Sequence, residues 1–485
     1  YKRQTVNGTL NTSVSNHALT IGGNLTIAGT LTANGSAITV SGNWDSSSGT
    51  FTCGNSTVTL DGTSTGKTIN SGGSSFYDFI IDGIGGEWTQ NDDFAVIHDF
   101  SLSNGSFISN PSYTFTVGNS FSINDNTINN SINAMARDSE GNIYVGGAFT
   151  LIGDVTYNYI AKWDGSSWLA LGSGLNNIVR AIAIDGSDNV YVGGDFTDAG
   201  GNADADYITK WDGSNWSNLG KGLNDVVRAI AIDGLGNLYA GGNFLTTGDG
   251  AITLNRIGRW DGLNWNVLDT TLSNAVYAIA IDSLNNVYVG GRFTDAGGIS
   301  TADGIAKWDG SSWSNLGSGL YTMFVQYVYT IAIDSDDNVY VGGSFTRSGD
   351  MVIDLRRIAK WDGSNWTEVG SANSGLSSTV YTMVIDGDDN IYVGGNFTLT
   401  GNGSIALARM AKWDGSNWSA LGNGLNNIVR ALAIDNGNNI VYAAGDFTQT
   451  GDGVTTLVYS AKWQSLAWSK LGTEPASFSR FSGAG

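Results

Sequence analysis

Residues 179–220, VRAIAIDGSDNVYVGGDFTDAGGNADADYITKWDGSNWSNLG, carry four short alternating apolar runs separated by Asp/Gly/Asn turns. Alternation at a period of two, punctuated by such turns, predicts strands. The runs place strand a at 179–184, b at 190–196, c at 207–211 and d at 216–219. The same pattern recurs seven times, and its first tryptophan falls at Trp163, Trp211, Trp260, Trp308, Trp361, Trp413 and Trp463, a period of 48 to 53 residues. A second tryptophan follows five residues later in every copy, from Trp168 to Trp468. One four-stranded sheet cannot bury both of its faces alone, so repeats of this length must stack on one another. The pattern predicts an all-β chain with a seven-bladed β-propeller of four-stranded blades over 132–472. Copy one has its own strand a and copy seven its own strand d, so no strand is left to swap across the seam and packing must close the ring.

The first 125 residues follow a shorter rule. ALTIGGNLTI (18–27) is echoed by AITVSGNW (37–44) and later by TFTVGNSFSI (114–123), with clean spacings of about 19 to 21 residues. Two or three short strands per unit suit the coils of a parallel β-solenoid, in which Thr, Val, Ile and Leu stack on their counterparts one coil away. Asn and Gly would turn the corners, where left-handed backbone is needed. Residues 63–93 blur the period and are expected to hold a loop or bulge. The reading divides the chain into a solenoid stalk (1–125), a joint (126–131), the propeller (132–472) and a tail (473–485).

The run NVYVGG (189–194) followed by the hairpin KWDGSNW (210–216) resembles blades of the kelch and galactose-oxidase type, over about 132–472. The resemblance implies a partner-binding mouth on one face of the ring. The WD40 pattern does not fit, because the period is too long and no Gly-His precedes the Trp-Asp pair. The Thr/Gly/Asn-rich first region resembles solenoid stretches of bacterial secreted adhesins.

Composition narrows the function. A net charge of −21 argues against nucleic acid and anionic membrane surfaces as partners. No apolar run approaches the length needed to span a bilayer, and no signal peptide is visible at Tyr1, as in a mature or truncated chain. The single cysteine, Cys53, excludes an intrachain disulfide framework. Both histidines, His17 and His98, lie outside the propeller, which therefore cannot build a Ser-His-Asp relay or a His-ligated metal there. A two-carboxylate glycosidase would have to draw on loop acids such as Asp204, Asp206, Asp303 or Asp354.

Candidate sites follow from the loop faces. The face of the a–b and c–d turns is monotonous, with D-x-x-x-N and D-G-S-[SN] in most copies, which reads as turn geometry. Calcium is the alternative for two of these turns, at Asp334, Asp336 and Asn338 and at Asp386, Asp388 and Asn390, although both lack the later Gly and Glu of an oxygen-rich calcium loop. No other cofactor is expected. The opposite face varies, and 321–328 extend one of its loops. At the second position of strand a, the copies carry Asn133, Arg180, Arg228, Tyr277, Tyr329, Tyr381 and Arg430. In ring order, three tyrosines face three arginines and an asparagine across the channel. Such a mouth suits a sugar, a carboxylated ligand or a partner loop; the alternative is a plug in which the arginines pair with nearby aspartates.

The chain therefore reads as a non-enzymatic, structural or adhesive protein, extracellular or on the surface of a bacterial or archaeal cell. It is expected to self-assemble into a fibre or layer through the solenoid or either terminal segment. A lectin-like module binding a carbohydrate or a surface protein is the alternative.

Overall fold

The computed structural model describes residues 3–479 apart from 13–15, 109, 111, 119, 124–126, 154, 166, 203, 269–271, 322–326, 371–373 and 472–476. Parts of the expected joint, of the extended loop and of the tail thus lie outside the described residues. Two compact units emerge, Tyr1–Thr127 with Gly472–Gly485, and Ile128–Leu471. No helix occurs among the described residues.

The first unit is a parallel β-solenoid. Strand Leu19–Ile21 pairs with Ala37–Val40, then Thr57–Leu60, then Asp78–Gln90, and the partners Leu19↔Ile38, Val58↔Ile38 and Phe79↔Val58 preserve the coil length read from the sequence. A second ladder joins Arg3–Val6, Asn24–Ile27, Trp44–Asp45 and Lys67–Asn70. A third joins Thr9–Asn11, Thr30–Thr32 and Thr50–Thr52. Inward positions are fully buried, among them Ile38, Val58, Phe79 and Phe100, while their strand neighbours point outward, as the two-residue period requires. Corners use left-handed backbone at Asn34 (φ 51°) and, one coil later, Gly54 (φ 57°). The expected irregularity within 63–93 is a bulge, where pairing with Asp99–Ile108 slips on either side of Asp82. Ser477–Ser479 of the tail add a strand parallel to Phe107 and its neighbours in this unit.

The second unit is the seven-bladed propeller, each blade a four-stranded antiparallel sheet whose strands neighbour one another in chain order. In the blade first read from the sequence, strand a is Val179–Ile184, b is Val190–Gly194, c is Ile208–Trp211 and d is Trp216–Asn218. Strand b ends two residues early because the Asp195 amide turns to the Ile178 carbonyl at 2.8 Å. Strand c starts one residue late because Tyr207 takes φ 62°, outside the extended region. Blades meet through apolar faces: Val179, Val190, Val192 and Phe196 pack on Tyr144 and Ile160 of the preceding blade. A Cβ at Gly193 would lie 2.4 Å from Val227 Cγ1 of the next blade, so the glycine permits the close approach.

The tryptophan pairs sit directly opposite each other across every c–d hairpin, with ring centroids 5.2 Å apart for Trp211–Trp216 and 5.6 Å for Trp260–Trp265. The second tryptophan also ties blades together. Trp216 Nε1 donates to the Leu171 carbonyl of the preceding blade at 2.8 Å, and Trp265, Trp313, Trp366, Trp418 and Trp468 repeat the bond. Blade one is the exception. Its Trp168 Nε1 is buried without a partner. Here the ring closes between blades seven and one by packing of Ile132, Met135 and Trp168 with Ala431, Tyr442, Ala444 and Leu471, and by an Arg137–Asp435 ion pair at 3.1 Å. Ala444 occupies this seam where most copies have glycine.

Blade seven also departs at its c–d turn. Gln464 pairs with Ala467, and both central residues, Ser465 (φ 51°) and Leu466 (φ 64°), are left-handed, as in a type I′ turn. Gly213 (φ 96°) is the left-handed residue in the corresponding Asp-Gly turn of blade two.

Candidate functional site: the propeller mouth

Strand a begins at the variable face, so its second residue in each blade points toward the channel entrance. The structure brings all seven of these residues to one bowl of about 420 Å³, and adds an eighth, Tyr327. The side chains of Tyr277, Tyr329 and Tyr381 are half-buried and form a continuous aromatic arc, with centroid separations of 5.6 Å between Tyr277 and Tyr329 and 5.1 Å between Tyr329 and Tyr381. Tyr327 stacks on Tyr329 at 5.3 Å with the planes 2° apart, and meets Tyr277 edge-on at 5.7 Å. Burial, followed by the neighbouring tyrosines, pushes the Tyr329 hydroxyl well above its ordinary range, so it remains a neutral donor and acceptor.

The basic half is not uniform. Arg180 makes a two-pronged contact with Asp195, Nε to Oδ1 at 2.5 Å and Nη2 to Oδ2 at 2.6 Å. Arg430 repeats it with Asp446, both bonds at 2.7 Å, and this pairing raises the Arg430 pKa further. In blade three, between Arg180 and Tyr277, Arg228 Nε donates to the Asn243 side-chain carbonyl at 3.0 Å, and its guanidinium lies 5.0 Å from the Tyr277 ring centre. Arg292 stands 5.6 Å over Tyr327. Asn133 Nδ2 reaches the Val179 carbonyl at 3.3 Å. The arrangement can hold a ligand with an apolar face and polar or negative edges.

Propeller models match parts of the sequence. Residues 325–482 match the family described as Rax2 C-terminal beta propeller domain, and 127–149 match the two component regulator propeller. Both descriptions are of propellers. No curated protein matches the sequence. Among solved structures, the extracellular domain of the putative one component system BT4673 from B. thetaiotaomicron is similar at 14% identity and a TM-score of 0.45, over 67% of this chain and 39% of that one. PorZ, a bacterial surface component of the type-IX secretion system of Porphyromonas gingivalis, is similar at 18% identity and a TM-score of 0.41, over 65% and 45%. Virginiamycin B lyase from Staphylococcus aureus stands at 13% and 0.39, over 66% and 94%. The chain thus spans less than half the length of the first two.

The other sequence candidates occupy different surroundings. Asp334 Oδ1 accepts from the amides of Asp336 (3.1 Å) and Asn338 (2.8 Å), and Oδ2 from Asn338 Nδ2 (2.8 Å); Asp386 does the same with Asp388 and Asn390. These are the bonds that Asp185 and Asn189 make in blade two, so the Asp334 and Asp386 carboxylates, two of those proposed for calcium, cap their turns. Among the loop acids, Asp204 faces Lys221 at 2.9 Å and Asp354 faces Arg347 at 2.7 Å. Burial, and then Asp204, raises the Asp206 carboxyl; burial, and then Asp295, raises Asp303. In the solenoid, His98 Nδ1 lies 2.8 Å from Asp78 and 3.2 Å from Asp99, and the hydrogen bond to Asp78 raises its pKa.

Reading the sequence one position at a time missed Tyr327, Arg292 and the partners Asp195, Asn243 and Asp446. Two signals could have found them. Tyr327 precedes the first valine of strand a, where the other copies have Ile178, Val226, Ala275, Thr379, Ile428 or Ser131. The remaining residues follow the glycine pair, a position that varies as Ala148, Asp195, Asn243, Arg292, Ser344, Asn396 and Asp446.

Proposed function

We propose that this chain is a non-enzymatic extracellular recognition protein whose propeller mouth binds a glycan or a surface protein. The observation that supports it most is the convergence of four tyrosines and three arginines on one open bowl, on the face whose loops vary between blades. Variable loops on a rigid ring are the usual seat of recognition, and a few polar groups around an aromatic wall suit a compact ligand. The kelch-like character of the blades belongs to this proposal. The test is a glycan array probed with the full chain and with Tyr329→Ala and Tyr381→Ala. Saccharide binding that either substitution abolishes is expected; hits that survive both would place recognition elsewhere.

A second reading, self-assembly, draws on the tail. Ser477–Ser479 complete the solenoid sheet by parallel pairing to Ser106–Ile108, an edge that the same segment of another copy could occupy through main-chain bonds.

A further inference from the structure

We infer that the ligand of the mouth is a carboxylated sugar, anchored by the Arg228 guanidinium with support from Arg292. This inference rests on the mouth being the binding site. It comes from comparing the blades with one another. The second residue of strand a and the residue after the glycine pair of strand b come together in blades two, three and seven. In blades two and seven they are Arg and Asp, and each arginine is neutralised by a two-pronged ion pair. Blade three keeps the arginine and replaces the acid with Asn243, whose carbonyl takes only the Nε–H. Blade four presents Tyr277 with Arg292. Among the described residues, neither Arg228 nor Arg292 has a carboxylate within 4.0 Å.

Two adjacent blades of a chain with a net charge of −21 thus hold cations that no described carboxylate pairs with. With Nε occupied, the two terminal nitrogens of Arg228 remain as a planar fork for a carboxylate. The field of the distant acidic groups is screened over a Debye length of about 8 Å at physiological salt, so the local cations decide what binds. Tyr277, 5.0 Å from Arg228, and the Tyr327–Tyr329 pair line the bowl with apolar ring surface for the C–H side of a pyranose, and their hydroxyls offer donors and acceptors to its edge. A bowl of about 420 Å³ admits a compact ring rather than a long extended segment, which favours a sugar over an acidic peptide.

The experiment titrates the full chain calorimetrically with an oligogalacturonide, with its methyl ester, which keeps the sugar and removes the charge, and with an oligoglutamate peptide. The acid should bind at least about tenfold more tightly than the ester, the scale of a charged hydrogen bond. Asn243→Asp restores the arrangement of blades two and seven, and should cost the acid about tenfold while leaving the ester and the melting temperature unchanged. Arg228→Gln should lower the affinity for the acid at least as much. Equal affinities for acid and ester, both lost in Tyr329→Ala, would keep the mouth as the site and overturn its preference for charge. Tighter binding of the peptide would assign the site to an acidic protein segment and overturn the sugar. Absence of oligogalacturonide binding overturns the inference; the array then judges the mouth separately, by whether neutral hits depend on Tyr329.

Discussion

At the scale of single residues, this chain uses backbone conformation more than chemistry. Many of its aspartates spend their side chains on amides two to four residues away, as Asp185 and Asp334 do. The same rule exposes a local fault at Leu466. A left-handed L-residue costs roughly 1–2 kcal/mol, and Leu466 is 86% exposed, so no burial offsets it. Leu466→Gly should therefore raise stability by about 0.5–1 kcal/mol after the added freedom of the unfolded glycine is deducted. Urea unfolding of the propeller measures this; a lower midpoint would mean that Leu466 makes contacts that its exposure does not reveal.

At the scale of elements, the c–d hairpin has two jobs. Its tryptophans pair across the turn, and the second reaches back to the previous blade. Trp265 and Trp168 separate these jobs, because they are similarly buried (5% and 7%) and only Trp265 makes the interblade bond, to Leu219 at 3.0 Å. Phenylalanine at either position loses packing. At position 265 it also removes the indole bond to the Leu219 carbonyl, which keeps only the Gly222 amide at 3.2 Å, so Trp265→Phe should cost about 0.5–1 kcal/mol more than Trp168→Phe. Equal losses in thermal or chemical unfolding would show that the indole bond adds nothing to blade cohesion.

At the scale of the whole molecule, the ring has one seam and the solenoid one borrowed strand. The seam lacks the indole bond found between the other blades and substitutes the Arg137–Asp435 pair and the packing of Ala444. Residues 473–485 pair, where described, with the first unit, so their deletion should leave the propeller's melting transition in place. If strand addition also joins copies, the deletion should abolish oligomers in light scattering at high concentration. Oligomers that persist without the segment, or a full-length chain that stays monomeric, would remove the assembly reading.

The sequence by itself determined the repeats, because burial at a period of two and the φ demands of Asp-Gly turns are local and are written into each copy. Seven blades, the coil spacing of the solenoid and an irregularity within 63–93 were all legible in this way. So was the ring of residues at the second position of strand a, since equivalent positions in a closed repeat must face one axis. Only the tertiary structure decided how those residues partner. The Arg180–Asp195 pair joins a residue of strand a to one just past the end of strand b, and Tyr327 enters the mouth from a position that the other copies fill with a smaller side chain. The unpartnered Trp168 depends in the same way on geometry beyond the repeat, because ring closure fixes distances that no single copy specifies.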